Sequence, residues 1–239
     1  MKDKAIIYIA IVAAILFLMN FGRKYLVTVT KSNLSNYLYK GDFDNFEKLI
    51  NKWYIKYLIY PFNIDFLKLN EAIVKQDRKK VDACFNEFDN KTITDKQKES
   101  VYQKAFFYYL QENDEKKLNK YYKLIKELED KTLFNSIDEI YKVVVLKETE
   151  QLDKFLKLYN ENNENTMAVF LIYNIYMNKN EKDEASKYLN IFNDLVEKGA
   201  YIKWQIEILI VMNLRDCLFI VIQSMELFTM IFLGRMAMY

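Results

Sequence analysis

The chain has 239 residues, 51% apolar and 28% charged, with a formal charge of +2. It is neither disordered nor wholly embedded in lipid, and its interspersed Lys and Asp/Glu leave no basic stripe for nucleic acid. With no His, 4 Gly and 1 Pro, it excludes His-based catalysis, His-ligated zinc, a Gly-rich phosphate cradle and a turn-rich β or doubly wound fold.

The first element is an apolar run, residues 5–21, AIIYIAIVAAILFLMNF. As a helix it spans about 26 Å, close to the ~30 Å hydrocarbon core of a bilayer. No small-residue cleavage pattern follows it, so the expectation is an uncleaved single-pass anchor rather than a signal peptide. Arg23, Lys24, Lys31 and Lys40 follow, against Lys2, Lys4 and Asp3 before it. That balance leans the body toward the cytoplasmic side of a cell membrane. The anchor and juxtamembrane segment take residues 1–30, and a continuous helix from the membrane into the next element is expected.

Residues 31–199 carry an internal repeat. Five segments place apolar residues at i, i+3, i+4 and i+7, the stripe one helix face requires. They are Phe46-Leu49-Ile50-Trp53, Val81-Cys84-Phe85-Phe88, Leu118-Tyr121-Tyr122-Ile125, Leu152-Phe155-Leu156-Tyr159 and Ala185-Tyr188-Leu189-Phe192. Twelve residues before each start stand Leu34, Leu69, Phe106, Ile140 and Tyr173, and eight before stand Leu38, Ile73, Leu110, Val144 and Met177. These ten define a buried face on a preceding helix. Four residues before each start the residue is acidic, Asp42, Asp77, Asp114, Glu148 and Glu181. An acid there suits the positive end of a helix dipole and marks where each second helix begins. Pro61 divides the first repeat from the second. Thr94 with Gln97 forms a capping box, and Gly199 suits the residue just past the fifth repeat.

Two helices per ~34 residues resemble the tetratricopeptide repeat. Lys40-Gly41-Asp42-Phe43-Asp44 and the stretch from Tyr176 to Phe192 carry the likeness best. Only Ala185 matches the family's small residue in the second helix, and bulky residues stand where the family has a Gly in the first, so the repeats are degenerate. The resemblance implies a short right-handed α-solenoid of about five helix-turn-helix repeats, preceded by one transmembrane helix. It also implies a concave face lined by the first helices. On that face the column Ser35, Asn70, Phe107, Tyr141 and Asn174 is the candidate peptide-binding groove. An Asn in this column often bonds a bound peptide in the family, and Asn70 and Asn174 match it.

After Gly199 the composition changes. Residues 212–238 hold five of the nine Met, and the register fails at Gln223 and Ser224. Three readings of residues 200–239 stay open: a capping helix pair, a second span containing Glu226, or an aberrant tail read in a wrong frame. Cys84 and Cys217 have neither disulfide nor metal spacing. The expected function is a membrane-anchored, non-enzymatic scaffold or adaptor that binds a protein or peptide and contacts the bilayer through residues 5–21. It uses no cofactor, metal, nucleic acid or small-molecule substrate. The alternative is a subunit of a membrane transport or envelope-assembly complex with a second, C-terminal span.

Overall fold

The structure, a computed structural model, describes residues 2–197, with side chains from Phe21 to Leu195. Every regular element among these residues is helical. The chain divides into two compact units between Lys91 and Thr92.

The N-terminal unit begins with α1 (Lys2–Tyr39), one uninterrupted helix, followed by α2 (Phe43–Ile50), the single turn α3 (Ile55–Leu58), α4 (Pro61–Val74) and α5 (Arg78–Asn90). Pro61 sits in the first turn of α4, where its missing N–H costs nothing. Leu34 and Leu38 of α1 share a core with Phe46 and Ile50 of α2, Ile55 and Ile59 around α3, and Leu67 of α4. The fourth member of the first stripe, Trp53, departs from expectation. It is 76% exposed, because α2 stops at Ile50 and the helical register that would carry Trp53 inward is lost.

The C-terminal unit contains α6 (Asp95–Gln111), α7 (Glu115–Glu127), α8 (Lys131–Ile140), a π-helical turn (Tyr141–Val145), α9 (Leu152–Glu161), α10 (Thr166–Asn178) and α11 (Lys182–Glu197). α6 opens on the capping box: Gln97 N donates to Thr94 Oγ1 at 3.3 Å and Thr94 N donates to Gln97 Oε1 at 2.9 Å. α6 packs on α7, with Val101, Ala105, Phe106 and Tyr109 buried on one and Leu118, Tyr121 and Ile125 on the other. Tyr109 and Tyr121 stack across them, centroids 5.7 Å apart. α10 packs on α9, α11 and the π turn. Covered from several sides, it buries Ala168, Leu171, Ile172 and Ile175. Tyr173 is therefore only half-buried and Met177 is 44% exposed, where both were expected on the buried face.

One turn recurs. At Gly41, Gln76, Asn113 and Asn180 the backbone takes a positive φ, between 53° and 67°. In each case that N–H bonds the carbonyl three residues back. The backbone N–H of the acidic residue that follows donates to the carbonyl five back, at 2.8–3.0 Å. This left-handed cap satisfies two orphan carbonyls and reverses the chain. The acid then serves the next helix: the carboxylates of Asp42, Asp77 and Asp114 accept from the N–H groups of Asn45, Lys80 and Lys117 at 3.1–3.3 Å. The turn at Lys147 (φ 60°) is wider. The π turn inserts a residue, so Glu148 N reaches back six residues to the Lys142 carbonyl at 3.0 Å. Glu148 consequently stands four residues ahead of α9 and does not begin it. Asn178 Nδ2 of α10 donates to the Val143 carbonyl at 2.8 Å, satisfying a π-turn acceptor.

Among the described residues no helix is long and apolar enough to cross a membrane. Within the apolar run, residues 5–20 fall where only the backbone is described. Gly199 and the whole of residues 200–239, with every reading of that tail, lie outside the described residues.

Candidate functional site

The five groove residues fall in two groups. Ser35 and Asn70 belong to the N-terminal unit and are 2% and 1% exposed. Each sits one position past a fully buried Leu, Leu34 or Leu69, so the helix turns it into the edge of the core. Among the described residues, neither Ser35 Oγ nor either amide atom of Asn70 has a hydrogen-bond partner. Burying such a group without a partner costs about 1–3 kcal/mol. Sequence periodicity gave the face but not this depth.

Phe107, Tyr141 and Asn174 belong to the C-terminal unit and are half-buried. Phe107 meets Phe106 edge-on at 5.5 Å. Asn174 Nδ2 donates to the Phe170 carbonyl one turn back at 2.8 Å. Tyr141 opens the π turn; its hydroxyl donates to Asn119 Oδ1 at 2.5 Å and its ring stacks on Tyr122 at 4.0 Å. Tyr122 in turn donates to Asp138 Oδ1 at 2.6 Å, and Lys142 Nζ lies 2.7 Å from Asp138 Oδ2. Burial pushes the Asp138 carboxyl up, but the bonds from Lys142 and Tyr122 outweigh it and hold the carboxyl below its ordinary range. Burial and the Asp138 charge raise the Tyr122 phenol. This polar pair of tyrosines ties α7 to α8 and the π turn.

Sequence reading missed a second charged cluster. Glu71, 2% exposed, takes Lys75 at 2.7 Å and Lys80 at 3.2 Å. Lys75 also bonds Glu47 at 2.8 Å and lies over the Phe43 ring at 4.9 Å. Hydrogen bonds to Glu47 and Glu71 raise the Lys75 ammonium, and Glu47 is lowered by its bond to Lys75. The cluster pins α2, α4 and α5 together. Its only trace in the sequence is the Glu71–Lys75 spacing of four on one helix. Burial also pushes the Lys104 ammonium down to about 8 and raises the Cys84 thiol, so the thiol is a poor nucleophile. Among the described residues no three His, Cys, Asp or Glu converge to hold a metal ion.

The chain matches no protein-family model, no characterised protein and no solved structure.

Proposed function

We propose that this protein is a membrane-anchored, non-enzymatic scaffold of tetratricopeptide-like repeats that binds a protein or extended peptide through the first helices of its hairpins. The anchor is the apolar run 5–21, the body faces the cytoplasm, and the candidate peptide contacts are Ser35 and Asn70 in the N-terminal unit and Phe107, Tyr141 and Asn174 in the C-terminal unit. The observation that carries this reading is the recurrent hairpin closure: a left-handed cap residue followed at once by an acid, at 41/42, 76/77, 113/114 and 180/181. Such a recurrence is what a stack of equivalent hairpins needs, since none hides its apolar face alone. Tethering to the bilayer raises the effective concentration of the groove for a membrane partner.

The test is capture of partners from detergent extract by the full chain and by Asn70→Ala, Phe107→Ala and Asn174→Ala variants. A partner retained by the full chain and lost by all three supports the reading. A capture that survives every variant, or no capture at all, sinks it.

A further inference from the structure

Apart from Tyr39, the exposed aromatic side chains of the N-terminal unit fall in two segments. Trp53, Tyr57 and Tyr60 are 76%, 64% and 73% exposed within eight residues of chain. The Trp53 ring meets Tyr54 and Tyr57 edge-on at 6.0 and 6.2 Å. Lys52 lies over Tyr54 and Lys56 over Tyr57, at 5.9 and 5.1 Å. On α1, Phe21, Tyr25 and Leu26 are also more than half exposed.

The topology turns the second segment back along the helix that carries the first. The cap at Gly41 reverses the chain, so α2 runs back along α1. The segment after Ile50 therefore continues back along α1, and α3 packs on that helix, Ile55 sharing a core with Leu34 and Leu38. There Thr30 is buried, and from Phe21 to Val29 no described side chain is.

The charge of both segments has one sign. From Lys4 to Gly41 and from Lys48 to Ile64 the sequence holds no Asp or Glu. Within these stretches stand Arg23, Lys24, Lys31 and Lys40, then Lys48, Lys52 and Lys56. All 33 acidic residues of the chain therefore lie outside these stretches, against only 27 of its 35 basic ones. Exposed Trp and Tyr beside Lys, next to an apolar helix, is the composition of a bilayer interface, where amphipathic rings sit among headgroups and cations meet anionic lipid.

We infer that Trp53, Tyr57, Tyr60, Lys52 and Lys56 form a collar that docks on the headgroup layer of an anionic bilayer, beside the point where α1 enters it. The collar fixes the N-terminal unit against the membrane rather than leaving it on a free tether. This rests on the anchored reading of residues 5–21, and the experiment separates the two. The full chain carrying Trp204→Phe keeps Trp53 as its one indole. It is reconstituted into phosphatidylcholine vesicles with or without phosphatidylserine, doped with lipid brominated near the headgroup. Flotation reads the anchor, and bromine quenching of Trp53 reads the collar.

The expected result is flotation in both lipids, with Trp53 quenched by bromine and more strongly so with phosphatidylserine. Lys52→Glu with Lys56→Glu should float equally but lower the docked fraction, roughly fivefold in equilibrium per lysine. A chain that floats while Trp53 stays open to acrylamide and unquenched by bromine overturns the collar and spares the anchor. Trp53 shielded from acrylamide yet unquenched by bromine means protein covers the patch, and also overturns it. A chain that does not float overturns both.

Discussion

Asn70 offers the sharpest perturbation. Its side chain is 1% exposed and both amide atoms lack a protein partner. Replacing it with Leu, close to it in volume, removes a desolvation penalty of about 1–3 kcal/mol and adds apolar contact beside Leu69. Asn70→Leu should therefore stabilise the protein by about 1–3 kcal/mol. Each kcal/mol moves the melting temperature of a unit this size by roughly 4–8 °C. Urea and thermal unfolding of the full chain in detergent, followed by circular dichroism, measure it. On the proposed function the same substitution abolishes partner capture, so stability and binding move in opposite directions. Asn70→Leu that is neutral or destabilising would mean that the amide is satisfied in the folded protein, and the orphaned-amide reasoning would fall.

Three further outcomes follow from local chemistry. Burial, then the Asp130 and Asp95 charges, raise the Glu99 carboxyl; a raised acid favours the fold while protonated and loses that contribution as pH climbs past the ordinary carboxylate value. Glu99→Gln should thus stabilise at neutral pH and not in acid, and a denaturation midpoint measured at both pH values checks the difference. Lys75→Met leaves Glu71 with Lys80 alone and should cost about 1–3 kcal/mol, whereas Glu47→Gln, on the exposed side of the same cluster, should shift the midpoint less; equal urea midpoints for the two would contradict the assignment of Glu71 as the buried centre. Gly41→Ala should lose about 1 kcal/mol from its φ of +67° alone, since an added Cβ meets nothing nearer than 4.0 Å, while Gln76→Gly should gain up to about 1 kcal/mol; opposite signs in thermal melts are the expected readout.

Much of the hairpin plan was legible because it is written in short-range chemistry. Asp42, Asp77 and Asp114 cap helices through their own carboxylates, and Thr94 and Gln97 bond each other's backbone, so residue type and spacing carried the information. The stripes from Val81, Leu118 and Ala185 are largely buried for the same reason, a period that one helix face must satisfy. What escaped is set by neighbours. No Gly or Pro marks the end of α2 at Ile50, so Trp53 read as a core residue. The π turn shifts its frame by one residue, which a fixed four-residue offset to Glu148 cannot register. The depth of Ser35 and Asn70, and the exposure of Met177, depend on how many helices cover each face.

The candidate groove residues of the two units differ in the hydrogen bonds their polar atoms already make. In the C-terminal unit the polar atoms are already bonded: Asn174 to the Phe170 carbonyl and Tyr141 to Asn119. A ligand that bonds either one exchanges an existing bond for a new one, with little net gain. At Asn70 nothing is exchanged, because the amide has no partner to give up. At 1% exposure the amide meets a peptide group only where the side chains over it move aside, and the contact then relieves a penalty of about 1–3 kcal/mol that the folded protein carries in its absence. Asn70→Ala should therefore weaken a peptide partner by about fivefold to a hundredfold more than Asn174→Ala. Titration of a captured partner against both variants decides the ranking. Equal losses, or a larger loss at Asn174, would show that the orphaned amide is not where the ligand gains its affinity.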